Sequence, residues 1–377
     1  MIYLDNAATT PVCPEAAQAA VEVMTGGFGN PSSRYALGAE AAKRLQADRE
    51  TVAQALGCNA GEVVFTSCGT EGDNWSVRAA AELGRRKGKH IVTTAIEHSA
   101  VLEPMRDLQG QGYEVTYLQP GRDGRVGLAD LEAALRPDTI LVSMMLVNNE
   151  LGTILPVGEA VRAVKRAKCP ALVHTDAVQG FLKVPFSAHE LGVDLLTISG
   201  HKIGAPKGIG ALYVREGVKV KPMLMGGGQE RGLRPGTEPT AQIAALAAAC
   251  QVWKKDQESY TKRMEEVKNY FLDSASAALE DLVVVSRGDA PHICAVSLPG
   301  YPSEMLVRDL SDRGICVSSG SACHRGKPSH VFAATRRPKG ELMGVLRVSF
   351  SPDSTRAEAD ALVAALREIR ASRVFVR

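Results

Sequence analysis

In "VDLLTISGHKIGAPKGIG" (193–210), Ser199, His201 and Lys202 follow an apolar run and sit among glycines that let other groups approach the backbone closely. A lysine is ordinarily a solvated surface residue. One delivered by a buried strand is partly desolvated, so its pKa falls and its amine becomes nucleophilic. "ALVHTDAVQG" (171–180) carries Asp176 at the end of another apolar run, where an unpaired carboxylate is costly. A cation should face it, from either a structural salt bridge or a ligand. Gln179 points to a similar place if a helical turn starts there. His98, in "IEHSA", is either a satisfied buried histidine or a catalytic one. In "VNNELG", Asn148 and Asn149 either cap a turn or bind a ligand. In "CGTEGDN", Gly69 and Thr70 stand where a helix should begin. They are ordinary turn and cap residues, or they open a helix N-terminus that favours a phosphate. A further candidate is Cys323, in "VSSGSACHRGKPSH" (317–330), a thiol in a stretch poor in core-forming residues. His324, Arg325 and Lys327 are close in sequence and favour the thiolate if they are close in space.

Most of these groups follow strands. From about residue 60 to 215 the apolar runs are 62–67, 90–95, 114–119, 139–146, 171–177, 193–199 and 210–215, separated by helix-period segments such as "PVGEAVRAVKRAK". Several runs lack polar alternation, as strands covered on both faces do. The expectation is an α/β fold with a mostly parallel sheet and helices on both faces. Ligands of such sheets bind beyond the carboxyl ends of the strands. A long helical stretch over about 239–280 follows. Strands in "LVVVS", "HICAVSLP", "GICVS" and "VLRVSF", with helices near 303–313 and 355–371, predict a smaller α+β domain.

The strand ends together offer a phosphate cradle, a ring-sized neighbour, an acid and a lysine. Pyridoxal 5'-phosphate (PLP) needs all four: a lysine for its aldehyde, and a carboxylate that keeps the pyridine nitrogen protonated so that the ring is an electron sink. Neither GxGxxG nor GxxxxGK[ST] follows a strand in the required context, which argues against a nucleotide cofactor.

The blocks "YLDNAATTPV", "FGNPSS", "TSCGTEGDN", "EHSA", "VNNELG", "HTDAVQ", "SGHKIGAPKGIGALYVR", "GGGQERGLRPGTE", "SSGSAC" and "LRVSFS" occur in this order. In them the chain resembles, over nearly its whole length, the PLP-dependent cysteine desulfurases of the NifS and IscS type, with the fold of class V aminotransferases. The resemblance implies PLP-dependent fold type I with a seven-stranded sheet. It also implies a large PLP-binding domain over 14–251, and a small α+β domain from 1–13 and 252–377 that carries the cysteine loop. Lys202 would hold the cofactor's aldehyde, Asp176 its ring nitrogen and Gln179 its ring hydroxyl. His98 would stack on the ring and help move protons. Gly69, Thr70, Ser199 and His201 would form the phosphate site, with Thr237 supplied by the partner copy of a homodimer. Asn149 and Arg347 would bind the substrate carboxylate. Cys323 would be the nucleophile that takes sulfur from L-cysteine, leaving L-alanine. Its small-residue neighbours suit a thiol that must reach substrate and then an acceptor, such as an iron–sulfur scaffold or a tRNA-thiolation protein. The alternatives are a selenocysteine lyase or another PLP-dependent lyase or transaminase of the same fold, and a protein that keeps the fold without catalysis. Two positions depart from the usual pattern: Tyr35, where many relatives have histidine, and Cys68, where glycine is common.

Composition narrows the classes further. The 377 residues exceed one ordinary core, and 45% are apolar. Acidic and basic residues nearly balance at a net charge of +2, against an extended nucleic-acid footprint. The eight cysteines form no CxxC pair, so neither a disulfide framework nor a metal site is expected. "MIYLDNAATT" lacks the pattern of a secretory leader, and apolar runs such as 139–147 are too short to span a bilayer, so a cytoplasmic protein is expected.

Overall fold

The computed structural model describes residues 1–319 and 329–372. Its strands are β1 (Ile2–Tyr3), β2 (Val63–Thr66), β3 (His90–Thr94), β4 (Glu114–Leu118), β5 (Thr139–Ser143), β6 (Leu172–Asp176), β7 (Leu195–Ser199), β8 (Gly210–Val214), β9 (Val283–Ser286), β10 (Ile293–Ser297), β11 (Ile315–Cys316) and β12 (Val345–Ser349). The largest sheet has seven strands in the order β2-β8-β7-β6-β5-β3-β4. β8 runs antiparallel to β2 and β7, and every other pairing in that sheet is parallel. The unalternated runs have their physical cause here. β2, β3, β5, β7 and β8 are buried at every residue, whereas the edge strand β4 is buried only at Leu118.

The carboxyl ends of the parallel strands feed the elements that carry the candidate groups. β2 leads into the helix Gly69–Gly84, and β3 into the helix Ser99–Gly110 with His98 as its N-cap. β7 passes into a single helical turn, Gly200–Lys202. Close approach is built in at the start of the first of these helices: a Cβ on Gly69 would lie 2.9 Å from Val178 Cγ2.

The C-terminal part forms a three-stranded antiparallel sheet, β12-β10-β9. The chain start joins it: β1 pairs in parallel with β11, and Ser349 N–H donates to Leu4 O at 2.8 Å. This tie brings Ala7 and Ala8 to the mouth of the large sheet. The helix Thr240–Ala278 links the two parts and departs from helical geometry at Asp256 (φ −131°, ψ 23°). Trp253 on this helix donates from Nε1 to Ile203 O at 2.9 Å, which braces the turn bearing Lys202. No helix among the described residues is long and apolar enough to cross a membrane.

Candidate active site

A cavity of ≈ 370 Å³ opens beyond the carboxyl ends of β2, β3, β5, β6 and β7. Gly69, Thr70, His98, Asn149, Asp176, Gln179, Ser199, His201, Lys202 and Arg347 all line it. Thr237 does not; it is exposed. Cys323 lies outside the described residues. Its described neighbours flank the cavity: Ser318 lines it, and Ser329 donates its hydroxyl to Glu150, next to Asn149.

Lys202 Nζ donates to the carbonyls of Ala7 (2.8 Å) and Ala8 (2.7 Å). Burial, helped by nearby Arg347, lowers its pKa to about 8, while Asp176 and Asp5 pull the other way. The amine therefore gives up its proton more readily than a solvated lysine does, as a nucleophilic amine requires.

Asp176 is 5% exposed, and its Oδ1 accepts from Val178 N–H at 2.9 Å. It belongs to no ion pair among the described residues, which goes against the salt-bridge reading there. Burial, reinforced by Asp73, pushes it up to about 7. Behind it on β6, His174 is held at about 4 by burial and bonds Ser143 Oγ and Thr197 Oγ1. Among the described residues, the acid thus faces the cavity without an ion pair.

His98 accepts from Ala100 N–H at Nδ1 (3.1 Å), which fixes the ring as a helix cap. Burial lowers its pKa, so the neutral ring carries its proton on Nε2. The choice left open at Asn148 and Asn149 resolves. Asn148 is the turn former, with Oδ1 accepting from the N–H groups of Glu150 and Leu151 and Nδ2 donating to Ile96 O. Asn149 faces the cavity with an unpartnered Oδ1. Arg347 donates to Asn149 O (3.0 Å) and Asp5 Oδ1 (2.7 Å), leaving its buried Nε without a partner. His201 contacts Thr9 Oγ1 at 3.1 Å, and burial with adjacent Lys202 holds it at about 4.

This donor set fits PLP. A desolvated amine, a buried carboxylate with no ion pair among the described residues, an aromatic ring and a helix start made approachable by Gly69 face one space. No group of metal-ligating side chains occurs among the described residues.

Sequence reasoning missed several contributors. Ala7 and Ala8 act through backbone carbonyls, which leave no side-chain signal. Asp73 lines the cavity with a buried, unpartnered Oδ1 that approaches His174 Nε2 at 3.5 Å. Its signal was an acid one helical turn past Gly69. Cys68, which the sequence marks as a departure beside the expected phosphate loop, lines the cavity as well, at the N-cap of Gly69–Gly84 but without a capping hydrogen bond.

Known proteins resemble this chain over nearly its whole length. The family model "Aminotransferase class-V" matches residues 2–362. A cysteine desulfurase of Trichormus azollae is 42% identical over 375 residues, spanning 98% of this chain and 92% of that one. The cysteine desulfurase IscS of Methanosarcina thermophila is 39% identical, spanning 98% and 91%. Among solved structures, a NifS-like protein superposes with a TM-score of 0.92 at 36% identity, covering 98% of this chain and 99% of its own. A structure of SspA in complex with cysteine gives 0.79 at 31%, covering 94% and 100%. With a family model spanning most of its length and relatives of this identity, the chain belongs to the class-V aminotransferase family, among the cysteine desulfurases.

Proposed function

We propose that this chain is a PLP-dependent cysteine desulfurase that takes sulfur from L-cysteine, leaves L-alanine and carries the sulfur as a persulfide on Cys323. The observation that supports this most is a buried acid, Asp176, with no ion pair among the described residues, sharing one cavity with a desolvated lysine, Lys202. Bound there, PLP supplies an electron sink that acidifies the substrate Cα–H and weakens its Cβ–S bond.

The chain's residues do the rest. Lys202 would hold the cofactor's aldehyde, and its amine would take the substrate's Cα proton at Nζ. Asp176 would keep the ring nitrogen protonated, and Gln179 and His98 would hold the ring. Gly69, Thr70, Ser199 and His201 would hold the phosphate, with Thr237 from a second copy. Arg347 and Asn149 orient the substrate carboxylate; the guanidinium is held by Asp5 and still has Nε free for it. The Cys323 thiolate attacks the substrate sulfur. The S–S bond forms as the Cβ–S bond breaks, and the electron pair passes to the substrate carbon, which is protonated to alanine.

The working unit is a homodimer. Residues 14–251 form the cofactor-binding body, and 1–13 with 252–377 the body that delivers the thiol. The acceptor is an iron–sulfur scaffold or tRNA-thiolation protein in the cytoplasm.

The test is direct. PLP-loaded protein with L-cysteine and a dithiol should release alanine and sulfide in equal amounts. Cys323→Ser should keep the visible cofactor band and release no sulfide. Sulfide at the unaltered rate from Cys323→Ser would assign the acceptor to another thiol. No alanine from fully loaded protein would refute the reading.

A further inference from the structure

Gln179 lines the cavity, and it is gripped from behind by a residue that does not line it. Its Nε2 donates to Ala7 O at 2.8 Å, and its Oε1 lies 3.3 Å from His292 Nε2. The assignment of these atoms is forced. Ala7 O only accepts, so the amide nitrogen faces it and the amide oxygen faces His292. His292 must therefore donate from Nε2. The ring is 0% exposed, at the approach to β10. Burial and the cations Lys183, Lys268, Arg347 and Lys202 push its pKa well below the usual histidine range. A neutral imidazole bears one proton, and here it sits on Nε2.

The Ala7 carbonyl is also an acceptor for Lys202 Nζ, at 2.8 Å. One unbroken chain of hydrogen bonds thus runs from His292 through Gln179 and Ala7 to Lys202. It joins the C-terminal three-stranded sheet, the large sheet and the N-terminal segment.

We infer that His292 is a positioning residue of the cofactor site: its Nε2–H fixes the Gln179 amide, leaving the second amide N–H for the coenzyme's ring oxygen. This rests on the reading that the cavity takes PLP. Without His292, Gln179 Oε1 is buried with no donor, and the amide must turn to find one. Losing the amide N–H makes the ring oxygen more basic, so the pH midpoint of the lysine-bound cofactor's visible absorbance rises.

The experiment titrates that absorbance in the full-length, PLP-loaded protein, in His292→Phe, which removes both ring nitrogens, and in His292→Asn, which restores a donor. The midpoint should rise by about half to one pH unit in His292→Phe, the worth of one ordinary hydrogen bond. It should return towards the wild-type value in His292→Asn. An unmoved midpoint with only a lowered melting temperature would make His292 purely structural and overturn the inference. If His292→Phe does not fold, long-range 1H–15N NMR of the histidine rings in wild-type protein decides. A proton on Nε2 of His292 supports the inference, and one on Nδ1 overturns it. A wild type that acquires no visible band with PLP would bring down the cofactor reading and this inference with it. A normal wild-type band with an unmoved variant brings down this inference alone.

Discussion

Two sets of buried charge in this molecule are treated in opposite ways. Arg49 and Glu230, each 5% exposed, form a closed pair with two 2.7 Å hydrogen bonds. Val63 O accepts from the guanidinium, Phe65 N–H donates to the carboxylate, and the guanidinium lies 4.7 Å from the Phe65 ring centroid. At the cavity, Asp176 has no ion-pair partner among the described residues, Arg347 keeps an unpartnered Nε, and Lys202 is held only by carbonyls. Leaving buried charge open is costly, and the fold tolerates it where a ligand completes the pairing. The first set fastens the segment around residue 230 to the large sheet. The second awaits substrate and cofactor.

The contrast can be broken by substitution. Lys202→Ala should abolish the visible cofactor band and lower desulfurase turnover on the order of 10⁴-fold, as measured by alanine release, with little change in melting temperature. Arg49→Met should do the reverse. It leaves the buried Glu230 carboxylate without its cation, costing about 3–5 kcal/mol in urea unfolding, and the double variant Arg49→Met/Glu230→Gln should recover much of that loss. Arg347→Lys keeps the charge but loses the planar fork. The KM for L-cysteine should rise about tenfold to a hundredfold, the worth of a charge-assisted hydrogen bond. The smallest effect concerns Asp176. Its folded pKa is raised, so the folded state keeps a proton that the unfolded chain gives up as pH passes about 4. Stability of cofactor-free protein therefore falls as pH rises from about 4 to 7. Asp176→Asn should stabilise the cofactor-free protein at pH 8, on the order of 1 kcal/mol, and the gain should vanish near pH 3. A gain independent of pH would mean that the carboxylate is not strained.

Much of the site was legible because it follows a rule of place. In a parallel sheet, reactive groups gather after the strands, and the apolar runs located those strand ends to within two or three residues. Lys202, Asp176 and His98 were readable as polar types at the ends of buried runs. Asn148 and Asn149 were not separable, since adjacent amides look alike until a turn commits one to the backbone. Ala7 and Ala8 were invisible for a different reason: their contribution is carbonyl oxygen, which every residue has. His292 was missed because it sits before an ordinary strand, and only the folded chain brings it to Gln179. The pairing of β1 with β11 was equally hidden, because two-residue strands carry no periodicity.

The most direct measurement is peptide mass spectrometry of PLP-loaded protein after a brief exposure to L-cysteine, without reductant. The peptide containing Cys323 should gain one sulfur atom, removable by dithiothreitol, and Lys202→Ala should show none. A fully loaded protein that makes alanine while Cys323 stays unmodified and the sulfur appears elsewhere, on Cys68 for instance, would contradict the assignment of the thiol.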